Sequence, residues 1–219
     1  MKKTLMSAAC VVAFVFAAQA QEVKFGVKAG VNFSSLTGDV EDVSASTGLH
    51  VGGLVELKLT DKFSIQPEVL YSMQGAEESE TYSETVFGTT VTYKEEAKIK
   101  LGYINVPIVA KYYVTEGLSL ELGPQIGFLV NAESEYTSSA SGGGMSESES
   151  ETIDIKDSTK SVDFGLVGGV AYDLPMGLFF QGRYNLGLSD ITDEDGEDND
   201  NDDFSIQNSV ISLSVGFKF

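Results

Sequence analysis

The sequence predicts an all-β protein: a transmembrane, antiparallel up-and-down β-barrel of about eight strands, with long acidic extracellular loops and short periplasmic turns. Three observations carry this expectation. Segments of roughly ten residues alternate apolar with polar or small side chains, the period of a strand with one greasy face. The connections between these segments alternate strictly between long and short. The acidic residues gather in the long connections and stay off the apolar faces.

The chain opens on a leader. Lys2 and Lys3 precede an uncharged apolar run from Leu5 to Ala18, and Ala18-Gln19-Ala20 is a small-x-small cleavage site. Cleavage is expected between Ala20 and Gln21, which leaves one barrel domain over 21–219. The run is shorter than the about 20 apolar residues of a spanning helix. Cys10 does not fit a lipoprotein signal, because Ser7 stands where a large aliphatic residue is required. Cys10 is the one cysteine and leaves with the leader, so the mature chain is expected to hold no disulfide, thiol nucleophile or thiolate metal site.

Eight segments then alternate. In the first, Phe25, Val27, Ala29, Val31 and Phe33 oppose Lys24, Gly26, Lys28, Gly30 and Asn32. In the second, Leu49, Val51, Val55, Leu57 and Leu59 oppose His50, Gly52, Glu56 and Lys58. In the third, Phe63, Ile65, Val69, Tyr71 and Met73 oppose Ser64, Gln66, Glu68 and Ser72. The fourth sets Ile104, Val106, Ile108, Ala110 and Tyr112 against Tyr103, Asn105 and Lys111. The fifth sets Leu118, Leu120, Leu122, Ile126 and Phe128 against Ser119, Glu121, Gly123 and Gln125. In the sixth, Phe164, Leu166, Val170 and Tyr172 oppose Asp163, Gly165 and Gly169; in the seventh, Phe180, Tyr184, Leu186 and Leu188 oppose Gln181, Arg183 and Asn185. The eighth closes the chain, with Ile211, Leu213, Val215, Phe217 and Phe219 alternating with Ser212, Ser214, Gly216 and Lys218. A last amphipathic strand ending on an aromatic resembles the C-terminal signal of Gram-negative outer-membrane barrels, which makes Phe219 the candidate signal for the barrel-assembly machinery.

Each segment is near the ~9–11 residues that a tilted strand needs to cross a bilayer. A soluble sandwich also alternates, but its connections do not sort by length. Here 37–48, 74–101, 130–161 and 189–206 are long, whereas 60–62, 114–117 and 175–177 are short. Gly is abundant at 23, Trp is absent, and 9 Tyr with 13 Phe suit aromatic girdles on closely packed strands.

The formal charge is −19, and 25 of the 33 acids lie in the four long connections, nine of them between Asp190 and Asp203. Charges on the lipid face would cost about 2–4 kcal/mol each at mid-bilayer. The acidity also excludes nucleic acid as a partner, since its phosphates would be repelled. The run Asp193-Glu-Asp-Gly-Glu-Asp-Asn-Asp200 does not fit a calcium loop, because Ile191 falls at the first ligand position. It is expected to be a solvated acidic tip, and Ser138 to Gly144 a disordered loop crest.

No enzyme, cofactor or metal site is expected. His50 is the only histidine and lies on the predicted interior face. The interior set Lys28, Glu56, Lys58, Glu68, Lys111, Glu121, Asp163 and Arg183 carries both signs. Eight strands leave an interior just wide enough to be filled by side chains. Lys28, Glu68, Glu121, Asp163 and Arg183 are therefore the candidate polar network, with the three carboxylates as candidate partners of the guanidinium.

Five stretches carry a family resemblance: Ser64-Ile-Gln-Pro-Glu-Val-Leu-Tyr-Ser72, Tyr103-Ile-Asn-Val-Pro-Ile-Val-Ala-Lys-Tyr-Tyr113, Leu122-Gly-Pro-Gln-Ile-Gly127, Asp163-Phe-Gly165 and Arg183-Tyr-Asn-Leu-Gly-Leu-Ser-Asp190. Spread in order over the mature chain, they resemble the PorT-like outer-membrane β-barrel family of Bacteroidota. The resemblance implies an outer-membrane barrel of about eight strands, in contact with outer-membrane lipid and lipopolysaccharide, and implies no activity. Asp157-Ser158-Thr159 resembles an O-glycosylation acceptor of that phylum. The functional expectation is a plugged scaffold that displays acidic loops. The alternatives are a narrow cation-preferring channel, or an accessory subunit of an envelope secretion or transport complex.

Overall fold

The structure, a computed structural model, describes residues 22–38, 44–86, 89–191 and 206–219. The leader with its Ala20–Gln21 site, and the acidic run 193–203, lie outside the described residues. Among the described residues nine strands form: β1 (Glu22–Gly38), β2 (Ser44–Thr60), β3 (Phe63–Val86), β4 (Thr89–Tyr113), β5 (Leu118–Gly142), β6 (Met145–Asp154), β7 (Val162–Asp173), β8 (Leu178–Gly187) and β9 (Ile206–Lys218).

Eight of them close a ring. Each strand pairs antiparallel with the next, β5 pairs past β6 onto β7, and β9 returns to β1 along Val27 opposite Phe217 to Gly38 opposite Ile206. Within the ring, closure gives each strand a partner on both sides, which is the condition for a sheet to cross a bilayer. Its wall alternates as the period of two demands. Phe25, Val51, Ile108, Leu122, Val170 and Leu213 are about half exposed on the outside, while Lys28, Glu68, Lys111, Glu121 and Arg183 are buried inside.

Strand register places the exposed aromatics in two belts. Phe63 stands opposite Tyr112 and Tyr172 opposite Phe180 near the short turns, with Phe25 and Phe217 close by on β1 and β9. Tyr71, Phe128, Phe164, Phe33 and Tyr184 stand toward the other end, with only aliphatic side chains between the belts. From Phe25 to Phe33, eight steps of ~3.3 Å at a tilt of about 40° rise roughly 20 Å. That is close to the ~25 Å apolar band of a membrane barrel.

The long connections differ from expectation. Most of 74–101 is not loop: β3 and β4 continue past the barrel as one hairpin, paired from Gln74 opposite Leu101 to Val86 opposite Thr89. Ser138 to Gly144 is not a disordered crest either. β5 runs to Gly142, Gly143 and Gly144 turn the chain, and β6 pairs back from Met145. Both turn glycines have positive φ, 60° and 84°, as a two-residue type I′ hairpin turn requires. Because β4 stays paired with β5 up to Val91 opposite Gly142, the two hairpins form one four-stranded sheet above the rim. A bulge seats it: Gly102 faces Asn131 and Tyr103 faces Leu129, so Val130 is the extra residue.

Candidate functional site

Inside the ring, the inward positions of all eight strands meet in layers. The middle layer centres on Arg183. Its Nη1 and Nη2 donate to the two Glu68 oxygens at 2.9 and 2.7 Å, and its Nε donates to Glu121 at 2.7 Å. This forked geometry is what a planar guanidinium offers and an ammonium does not. Lys28 adds a second cation to Glu68 at 2.8 Å and donates to Gln181 at 2.7 Å, and Gln181 in turn donates to Glu121. Lys111 lies 3.4 Å from Glu121 and 3.5 Å from Asp173. Toward the short turns, Lys218 binds Glu56 at 2.7 Å and Asp173 at 2.9 Å, while the Tyr113 hydroxyl lies within hydrogen-bond distance of both carboxylates. Four cations and four carboxylates thus form one continuous chain with no net charge.

Arg183 fits because its neighbour has no side chain. A Cβ on Gly169, directly opposite in β7, would sit 2.8 Å from Arg183 Cγ and 2.4 Å from the Gly182 carbonyl oxygen. Gly169→Val is therefore expected to displace the guanidinium and cost about 1–3 kcal/mol. A lowered urea midpoint of the folded protein in lipid vesicles checks this; an unchanged midpoint contradicts it.

The next layer is neutral. His50 Nδ1 donates to Asn32 Oδ1 at 2.8 Å, so Nε2 of the neutral ring accepts from the Ser214 hydroxyl at 2.8 Å. Asn32 also donates to Ser72 at 2.9 Å. Both ring nitrogens are thus engaged in packing contacts. Between this layer and Arg183 remains a cavity of about 30 Å³, lined by Lys28, His50, Gln74 and Asn185 among others. It has room for about one water. The far mouth is sealed by apolar side chains: Leu36, Ala76, Leu101, Tyr103, Leu129, Ala132 and Ile191 are all buried against one another.

The structure separates the expected network members. Lys28, Glu68, Glu121 and Arg183 meet; Asp163 does not reach them. It is buried near the apolar seal, where it accepts from Ser189 at 2.7 Å and from Asn208 at 3.1 Å. Lys58 sits at the mouth, with a half-covered side chain 4.0 Å from Glu22. Sequence reading missed Asp173, Gln181, Tyr113 and Lys218 as members. Parity already sets Lys218 and Gln181 on the inward face, but parity alone does not say which inward side chains meet. Phe219 continues the ladder, its N–H donating to the Phe25 carbonyl at 2.8 Å, with its ring exposed. Ser158 is exposed in a short 3₁₀ turn, Lys156–Ser158.

The sheet above the rim sorts its charges by face. Directly opposed residues share a face. One face carries the rows Glu78, Ala97, Tyr136, Glu151; Glu80, Glu95, Ser138, Glu149; and Tyr82, Tyr93, Ala140, Glu147. The other carries Lys94, Lys98 and Lys100, which pair there with Glu96, Glu77 and Glu135. Lys94 beside Glu96, and Lys100 beside Glu135, hold those carboxyls below the usual carboxylate range. The first face continues down through Ala76 and Ile99 to the apolar seal, so it overlooks the barrel mouth.

A closed eight-stranded antiparallel ring with an apolar, aromatic-belted wall and a polar interior is a transmembrane barrel of the outer-membrane type. The chain belongs to the outer membrane protein beta-barrel domain family, whose model matches residues 18–193. Among solved structures it is similar to Ail, the attachment invasion locus protein of Yersinia pestis, at 14% identity over 91% of this chain and 100% of that chain, TM-score 0.43. It is also similar to Neisserial surface protein A, at 14% identity over 89% and 97%, TM-score 0.47. The outer membrane protein OprG from Pseudomonas aeruginosa follows at 13% identity over 90% and 95%, TM-score 0.34. No curated protein sequence matches the chain.

Proposed function

We infer that this outer-membrane barrel is a plugged, non-enzymatic scaffold whose work is to hold a four-stranded sheet outside the cell. The observation that carries this reading is the lumen's charge-neutral chain from Lys28 through Glu68, Arg183, Glu121, Lys111 and Asp173 to Lys218 and Glu56. Charged side chains that pair with one another leave no unpaired carboxylate for a passing ion and no net field to select one. The apolar seal at the outer mouth adds a second barrier. The five family-like stretches support placing the chain with the PorT-like barrels of Bacteroidota. Lys2 and Lys3, the apolar run to Ala18 and Ala18-Gln19-Ala20 support a leader cleaved before Gln21, and the amphipathic last strand ending on Phe219 supports assembly through the barrel-assembly machinery.

Thiol accessibility tests the reading, because Cys10 is the one native cysteine. A cysteine replacing Ser150 on β6 is expected to react with a membrane-impermeant maleimide on intact cells. One replacing Gln125, buried in the lumen, is expected to react only after denaturation. Rapid labelling at 125 in the folded protein would favour an open channel; failure at 150 would place the sheet elsewhere.

A further inference from the structure

The outermost strand of the projecting sheet has one partner. Among the described residues β6 pairs with β5 alone, and all ten of its residues, Met145–Asp154, are exposed. Its other side is an open ladder of backbone donors and acceptors, the feature that native sheets bury, bulge or use. β6 is neither bulged nor covered by any described residue, and its sequence is regular: Glu147, Glu149 and Glu151 on one face, Ser146, Ser148 and Ser150 on the other.

The charge sorting defines what would suit this edge. The sheet's three lysines all lie on the serine side and are all paired. On the glutamate side, Glu78, Glu80, Glu95, Glu147, Glu149 and Glu151 form no ion pair among the described residues, and Glu80 stands directly opposite Glu95. Like charges in that position destabilise a sheet, so this face lacks a cationic complement that the chain itself does not supply. Tyr82 and Tyr93 stack there with ring centroids 5.0 Å apart, and Tyr136 lies between Ala97 and Glu151. Aromatic faces beside carboxylates suit Lys and Arg side chains. The acids are not arranged to chelate: no group of three or more His, Cys, Asp or Glu among the described residues could hold a metal ion. A second copy would bring the same glutamates to the edge and be repelled.

We propose that β6 is a strand-addition site for an extended basic segment of another protein, one with Lys or Arg at alternate positions. The backbone of that segment completes the open ladder of β6. Its cationic side chains fall on the face of Glu147, Glu149 and Glu151, within reach of Tyr136. Main-chain pairing supplies affinity and alternate side chains supply selectivity, as in other strand additions. This assignment rests on the display reading above and names the partner's chemistry.

The test uses the full-length protein in lipid nanodiscs and a peptide of about ten residues alternating Lys and Val. The peptide is expected to bind, and to bind more weakly as salt rises. A fully N-methylated peptide of the same charge, which cannot donate to the ladder, is expected to bind at least about tenfold more weakly. The triple variant E147Q/E149Q/E151Q should weaken the unmodified peptide by at least about tenfold while the barrel stays folded and heat-modifiable. A Glu-Val peptide should not bind. No binding of the Lys-Val peptide, equal binding of the N-methylated form, an unaffected triple variant, or a peptide-free dimer through β6 would each overturn the proposal. These readouts do not depend on whether the lumen conducts, so their failure is distinguishable from failure of the plugged-scaffold reading.

Discussion

Replacing Arg183 with Met is expected to remove about 3–5 kcal/mol of stability, the usual cost of breaking a buried ion pair by deleting one partner. The guanidinium makes three donations, two to Glu68 and one to Glu121. Without it, two buried carboxylates share Lys28 and Lys111, and the lumen acquires a net negative charge. The loss therefore comes less from the missing bonds than from the carboxylates left behind. The variant R183M/E68Q separates these causes, because it restores neutrality while leaving Glu121 with Lys111 and Gln181. It is expected to recover part of the loss. Urea unfolding in lipid vesicles, followed by the shift between folded and unfolded bands on unboiled gels, measures both. If R183M unfolds at the wild-type midpoint, the ion-paired chain does not hold the barrel together.

The second large effect concerns the wall. Leu213 is half exposed midway along β9, opposite Val31 and Gly182 and between the two aromatic belts. Leu213→Arg is expected to cost about 2–4 kcal/mol, the depth-dependent cost of a cation on the lipid face. Ser148→Arg, also at an exposed position but on β6 in the projecting sheet, should stay within about 0.5 kcal/mol of wild type. The contrast is what matters, since both changes add the same charge to an exposed strand. Similar unfolding midpoints for the two variants would mean that the boundary between lipid and water has been placed wrongly.

Much of the barrel is legible in the sequence because a bilayer imposes a sharp contrast. Lipid on one side and a packed lumen on the other force strict alternation, so the parity of Arg183, Glu121 and Glu68 follows from their apolar neighbours. Which carboxylate meets Arg183 does not follow from parity. It depends on the stagger of strands around the ring, a property of the closed barrel as a whole. Asp163 has the right parity but stands nearer the outer rim, beside Asn208 and Ser189. The projecting sheet is hidden for the opposite reason. Both of its faces meet water, so alternating Ser, Thr and Glu carry no hydrophobic period and resemble a loop. The Gly143-Gly144 pair, a type I′ turn signal flanked by short polar alternation, is the local clue that a hairpin stands there.

Single-channel recording in planar bilayers tests the central claim most directly. Wild-type protein, inserted and verified as folded, is expected to give a flat baseline at moderate voltage in either salt polarity. The R183M variant should show openings, because the middle layer of the plug then loses its central cation. A large, stable, cation-selective conductance in the wild type would contradict the plugged lumen and establish the channel in its place.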